Sequence, residues 1–210
     1  MSRSVRGVVR ASAIVVLAAL LGTSCALTTP EEPGYRHLLH PCADVPPALV
    51  ASLVGSAAPM SGRQHAPDPD QPRDFLSQHC GWDNASPAGW GELAWTRLEV
   101  DVGLALKDTG APDLELARAG SDGKSRDRYL SPAPAAQRLG DVTLQCNRVI
   151  DGKRIVIVYF RQANAEVTVH FRGRGENLDG TPTSPPPPED LERAVHAIAR
   201  HLHQELGPPR

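Results

Sequence analysis

The sequence predicts an α+β domain, in which an antiparallel sheet of about four or more strands carries a short N-terminal and a longer C-terminal helix. Two observations predict the sheet. Apolar and polar side chains alternate from Ala94 to Leu106, and three further strand-like runs lie between Val142 and Arg172, of which the first and third alternate and the middle one, residues 155–160, is continuously apolar. A third observation, an apolar period typical of a helix near the C-terminus, completes the order helix, strand, meander, helix. This order favours helices packed on one face of the sheet.

The three runs after Val142 predict a three-stranded antiparallel meander. Asp151-Gly152 separates the first two runs, and Asp-Gly is a strong hairpin signal because both residues tolerate the positive φ angles of a tight turn. Asn164-Ala165 is expected to turn the chain into the third strand. In the earlier strand, the even positions from Ala94 to Leu106 are expected to be buried and the odd positions solvent-exposed.

The helices are predicted from their apolar faces and their end signals. A short helix is expected between Cys42 and Gly55, with proline in its first turn and glycine after its end. The C-terminal helix has apolar residues at spacings of four, three, four and four, and it ends before Gly207. Those residues are Leu191, Val195, Ile198, Leu202 and Leu206.

Three stretches carry little periodic pattern. Residues 56–78 are expected to form an irregular loop. Residues 107–140 mix short patterns of different kinds, and one or two helical turns are expected in the segment DLELARA. Residues 173–189 contain four consecutive prolines and predict a stiff linker inside the domain.

The first 24 residues have the order of a signal peptide. Three arginines precede an apolar run from Ala11 to Gly22, which as a helix would be ~18 Å long. Since the hydrocarbon core of a bilayer is ~30 Å thick, this run is too short for a stable transmembrane helix.

The residues after the apolar run, LGTSC, resemble the bacterial lipobox, although Gly22 stands where leucine is usual. This resemblance implies cleavage before Cys25 and its acylation, so that the protein would be held on the extracytoplasmic face of the cell membrane. The alternative is an ordinary secretory signal beside an incidental cysteine. Residues 25–41, polar and proline-bearing, are then a tether, and residues 42–206 form a single extracytoplasmic domain.

The charge of the chain argues against a nucleic-acid partner. Removing the three arginines of the leader from the 22 basic side chains leaves 19 against 24 acidic ones, a formal charge of −5. No basic block or stripe interrupts this balance.

Three cysteines remain once Cys25 is assigned to lipid. A disulfide is expected outside the membrane, and Cys42 with Cys80 is the favoured pair because it would staple the first helix to the start of the first strand. Cys80 with Cys146 is the alternative. Otherwise Cys146, which lies on the apolar side of its strand with Val142 and Leu144, is a buried free thiol.

His40-Pro41-Cys42, a helix ending at Gly55, Cys80-Gly81-Trp82 at a strand and late strands around Asn164 resemble a group of actinobacterial exported lipoproteins. The group is classed as domain of unknown function 3558. The resemblance covers most of residues 40–206 and implies an envelope-exposed, disulfide-stapled lipoprotein without implying a reaction. Cys146 departs from a two-cysteine framework.

The candidate chemical sites are weak. Residues 120–125 (GSDGKS) resemble the end of a phosphate loop but lack its first glycine, so a solvated turn is expected. On the last helix, His201 and His203 follow His196 by five and seven residues, whereas a metal-binding pair on a helix has i, i+4 spacing. This favours a solvated helix face for the three histidines. No metal site and no cofactor are predicted.

Three tryptophans lie within a short stretch of the chain. Trp82 is expected in the core beside a disulfide, whereas Trp90 and Trp95 are candidates for a ligand groove. The sequence therefore predicts a non-catalytic envelope lipoprotein that binds a small molecule, a lipid or a protein partner. The alternatives are an accessory or sensory subunit of a membrane complex, and a secreted enzyme without a visible motif.

Overall fold

The structure is a computed structural model that describes residues 33–54, 75–83, 96–150, 153–174 and 188–210. Its elements in chain order are α1 (Pro41–Asp44), α2 (Pro47–Val54), β1 (Phe75–Asp83), β2 (Thr96–Ala105), α3 (Leu114–Ser125), β3 (Ser131–Pro132), a 3₁₀ turn (Ala135–Gln137), β4 (Val142–Ile150), β5 (Lys153–Gln162), β6 (Ala165–Arg174) and α4 (Pro188–Leu206). Within these ranges, every helix is too short or too polar to cross a membrane.

The strands form a six-stranded sheet in the order β1-β2-β6-β5-β4-β3, and every neighbouring pair is antiparallel. The predicted meander of β4, β5 and β6 is confirmed, because Ile150 pairs with Lys153 and leaves a two-residue connection. Gln162 pairs with Ala165, so the second turn is Ala163-Asn164, one residue earlier than expected. Ala163 adopts a φ of +51° at this turn.

One face of the sheet carries the main core under α2 and α4. The predicted burial of the even positions of β2 is confirmed, since Leu98, Val100 and Val102 lie in this core with α4 residues such as Val195 and Ile198. Cross-strand partners share a face, so the buried positions of β5 and β6 extend the same apolar surface. The C-terminal helix is confirmed in full. It ends before Gly207, whose φ of +63° suits a helix stop.

Helices α2 and α4 share one face of the sheet as expected, whereas α3, for which only a helical turn or two was expected, lies on the other face. This helix covers one end of the opposite face, where the ammonium of Lys124 lies 5.1 Å from the centre of the Tyr159 ring on β5. Residues 120–125, expected as a solvated turn, form the second half of α3, and Ser121 is buried there. The helix is capped at its N-terminus by Asp113, whose carboxylate accepts a hydrogen bond from the Leu116 N–H at 2.9 Å.

Other boundaries differ from the sequence expectations. The first helix is divided into α1 and α2, because the chain is extended at Val45, just before two prolines. The last residues of the expected 56–78 loop already belong to β1, which begins at Phe75. The 173–189 linker is shorter at both ends, since β6 reaches Arg174 and α4 begins at Pro188.

The second half of the predicted 25–41 tether contacts the domain. Tyr35 is buried, its N–H donates to the Asn164 side-chain oxygen at 2.7 Å, and its hydroxyl donates to the Gly207 carbonyl at 2.6 Å. The Asn164 amide returns hydrogen bonds to the carbonyls of Tyr35 and Ala105, each at 2.9 Å. Burial and the nearby Asp141 carboxylate raise the pKa of Tyr35 to about 12. The domain therefore begins near Gly34, whose N–H donates to the carbonyl of Arg210.

Candidate functional site: the open face of the sheet

The sheet face opposite α4 is only partly covered by described elements. Helix α3 covers the end of this face where β2 finishes and β6 begins. The remainder, here called the open face, presents mainly polar side chains from β1, β2, β6 and β4 and aliphatic side chains from β5. Among the residues that the registers place on it are His79, Arg97, Glu99, Asp101, Arg148, Ile155, Ile157, Thr168, His170 and Arg172.

A charged network occupies the β1–β2–β6 part of the open face. Glu99 is its centre, with one carboxylate oxygen 2.7 Å from Arg97 and the other 3.5 Å from Nδ1 of His170. The hydrogen bond with His170, with further help from Arg97, lowers the pKa of Glu99 to about 2. Beside it, Nδ1 of His79 lies 2.7 Å from Asp101.

This network has a consequence for acid stability. Because the folded pKa of Glu99 lies below its ordinary value, ionised Glu99 stabilises the fold above that ordinary value, and this contribution falls as the pH drops towards about 2. The side chain is 23% exposed, so solvent screening reduces the effect. The arrangement orients charged groups, and Glu99 is ionised at neutral pH.

An arginine row crosses the strands next to this network. It consists of Arg97 on β2, Arg172 on β6 and Arg148 on β4, with Ile155 of β5 between the last two. Arg97 is paired with Glu99, whereas Arg172 and Arg148 are exposed, and no carboxylate of the described ranges lies within ion-pair distance of either. The half-buried Ile155 and Ile157 therefore lie beside two exposed cations.

Buried polar groups lie under α3 at the covered end of the same face. Glu166 is 9% exposed, and a side-chain carbon added at Gly120 of α3 would lie 2.7 Å from its carboxylate oxygen. Burial raises the pKa of Glu166, and the ammonium of Lys124 opposes this shift. Burial and the Glu166 carboxylate also raise the pKa of Tyr159. The contact of α3 with the sheet is thus more polar than that of α4.

The histidines of α4 are not the solvated set expected from the sequence. His196 is 4% exposed, and its ring nitrogen lies 3.1 Å from the Gln145 side chain on β4. His203 accepts a hydrogen bond from the Gly140 N–H and packs edge-on against Phe160, with ring centres 5.6 Å apart. Burial lowers the pKa of both His196 and His203. These side chains bind the helix to the sheet.

The cysteines are arranged as the favoured interpretation expected. Cys42 and Cys80 form a disulfide with their Cα atoms 5.3 Å apart, and Cys146 is a buried free thiol. Burial raises the pKa of Cys146, which disfavours its reactive thiolate form. Cys146 and its strand neighbours at even positions face away from α4, because Cys146 pairs with Ile157 on the open-face side.

The remaining predicted site residues give a mixed outcome. Trp82 is 2% exposed and lies in the core with Cys80, as expected. Cys25, Trp90 and Trp95 lie outside the described residues, so the anchor and the ligand groove stay predictions. No group of three histidine, cysteine or carboxylate side chains able to hold a metal occurs in the described part of the chain.

Sequence reasoning did not find the network of Glu99, His170, His79 and Asp101. The wet positions of β2 were visible, but their partners lie on β6 and β1, up to 71 positions away in sequence. Only the strand order shows that these side chains are neighbours.

Comparison with protein-family models, with curated proteins and with solved structures found no match for this chain. The resemblance to the actinobacterial lipoproteins therefore stays a prediction from the sequence.

Proposed function

We propose that this chain is a non-catalytic lipoprotein of the cell envelope that holds a protein partner against the open face of its sheet. The anchor is a lipidated Cys25 on the extracytoplasmic side of the cell membrane. Two features of the sequence and fold support this location: the leader that ends at Cys25, and a disulfide, which persists in an oxidising compartment.

The difference between the two faces of the sheet carries the proposal. One face is packed with apolar side chains under α2 and α4, whereas the open face keeps Arg172, Arg148 and Asp101 exposed. Charged side chains on the open face are already held in place, as Glu99 is between Arg97 and His170. A preorganised polar face loses less side-chain freedom when a partner binds.

The shape of the open face favours a protein over a small molecule. Small-molecule sites are concave and mostly apolar, whereas the open face is the surface of an antiparallel sheet with alternating charged and aliphatic residues. A depression lined by Leu106, Lys107, Asp108 and Gly110 lies after the end of β2, about nine residues along the strand from Arg97. Arginine is enriched at protein interfaces.

Site-specific photo-crosslinking in membranes tests this function. A photo-reactive residue at Asp101, whose side chain is 56% exposed, is expected to give one discrete protein adduct. The same residue at Arg193, which is 75% exposed on α4, serves as the control and is expected to give none.

The outcomes separate the alternatives. An adduct with an integral membrane protein in stoichiometric yield would identify the chain as an accessory subunit. Adducts with lipid alone at Asp101, or equal adducts at both positions, would contradict the proposed function.

A further inference from the structure

The arginine row has a spacing that a partner must match. Arg172 and Arg148 are separated by one strand, β5, so their Cα atoms are two strand spacings apart, about 10 Å. Ile155 lies between them, and both arginines are exposed. A complementary element therefore needs two carboxylates about 10 Å apart with an apolar side chain between them.

An α-helix meets this requirement better than a strand. Positions i and i+7 of a helix lie on one side and are about 10.5 Å apart, with i+3 and i+4 between them. In a strand, residues on one side are separated by about 6.6 Å or 13 Å. Neither separation matches the two arginines.

We propose that the arginine row receives a helix of the partner protein, laid across the strands, with acidic residues at i and i+7 and apolar residues at i+3 and i+4. The acidic residues pair with Arg172 and Arg148, and the apolar residues contact Ile155 and Ile157. This inference rests on the proposed function and names the chemistry of the partner. Arg97 contributes less, because Glu99 already neutralises it at 2.7 Å.

A peptide titration tests the inference without knowledge of the natural partner. The probe is a labelled helical peptide with Glu at i and i+7 and Leu at i+3 and i+4, added to the full-length protein in neutral detergent micelles. Fluorescence anisotropy is expected to show saturable binding that weakens as salt is raised. The double variant R148E/R172E is expected to bind about tenfold or more weakly, because two attractions become repulsions.

Two controls make the result specific. The double variant R193E/R200E makes the same change of charge at two exposed positions of α4, on the other side of the sheet, and is expected to bind like the unmodified protein. A peptide with Lys in place of both Glu is expected not to bind. Equal affinity for R148E/R172E and R193E/R200E, or no saturable binding at millimolar peptide, would overturn the inference.

The inference and the proposed function fail in different ways. If Asp101 still gives its adduct in membranes when R148E/R172E is present, a partner binds the open face but does not use the arginine row. If the peptide binds as expected while Asp101 gives no protein adduct, the row recognises acidic helices, but the proposed function is wrong.

Discussion

Replacing Asn164 by alanine tests how the N-terminal segment is fixed to the domain. The Asn164 side chain is fully buried and makes three hydrogen bonds, to the N–H and carbonyl of Tyr35 and to the carbonyl of Ala105. Each buried hydrogen bond contributes about 1 kcal/mol, so the free energy of unfolding is expected to fall by about 3 kcal/mol. In the variant the Ala105 carbonyl still accepts a hydrogen bond from the Asp113 N–H, so it is not left without a partner. The loss of unfolding free energy is therefore expected to stay near about 3 kcal/mol.

The matched control is Asn147→Ala. Asn147 is exposed and also makes two side-chain hydrogen bonds, to Glu192 at 2.8 Å and from Arg154 at 3.0 Å. Exposed polar pairs contribute little because water replaces them, so a loss below about 1 kcal/mol is expected.

Thermal unfolding followed by circular dichroism distinguishes the two variants. At about 2–4 °C per kcal/mol for a chain of this size, Asn164→Ala is expected to lower Tm by about 6–12 °C. Amide hydrogen exchange gives the local result, since the Tyr35 N–H donates directly to Asn164 and is expected to lose its protection. Equal Tm shifts for the two variants, or unchanged protection of Tyr35, would refute the reasoning.

Three further predictions concern α3 and the cysteines. Gly123→Ala is expected to stabilise the protein by about 0.5–1 kcal/mol, because alanine favours the helix and nothing lies within 4 Å of the added carbon. Gly120→Ala is expected to give no such gain, because its added carbon would lie too close to the Glu166 carboxylate. Urea unfolding compares the two variants, and equal stabilisation would contradict the contact with Glu166. Because burial raises the folded pKa of Glu166, Glu166→Gln is expected to stabilise the protein increasingly as pH rises above the unfolded pKa of a glutamate, and a gain that is the same at all pH values would contradict this sign. Loss of the Cys42–Cys80 disulfide in a double serine variant is expected to lower the free energy of unfolding in urea by about 3–4 kcal/mol. The thiol of Cys146 is expected to react with a thiol reagent only after denaturation. Rapid labelling of the native protein would contradict the burial of Cys146.

The fold was predictable where local pattern and burial agree. The alternation in β2 and β6 gave both strand positions and buried sides, a continuous apolar run gave β5, and the apolar spacing gave α4. Helix α3 was underestimated because its second half contains two glycines and two serines, which have low helix propensity. The N-cap Asp113 was the available signal for its start.

The wrong expectation for His196 has a physical cause outside the local pattern, and β4 shows a related effect. His196 is polar and belongs to a helix that has a solvent-exposed side, so exposure was expected. The structure buries it against the sheet, where the Gln145 side chain of β4 is its hydrogen-bond partner. Cys146 alternates with polar residues as expected, but the side chains of β4 that face α4 are the polar ones. Alternation indicates two sides of a strand and does not determine which of them a helix covers.

The open face could be predicted only in part. The wet positions Arg97, Glu99 and Asp101 were evident in the sequence, since they alternate with the buried positions of β2. Their combination with His170 and Arg172 depends on the pairing of β2 with β6, which joins distant parts of the chain. No spacing rule in the sequence specifies that pairing.

The intact mass of the protein extracted from membranes, measured without reduction, tests the location on which the proposed role depends. The account predicts a chain that begins at a diacylated Cys25, weighs two hydrogens less than its reduced form because of the Cys42–Cys80 bond, and retains one free thiol. A chain that keeps residues 1–24, carries no lipid and has all its cysteines reduced would contradict the anchor, the compartment and the proposed role together.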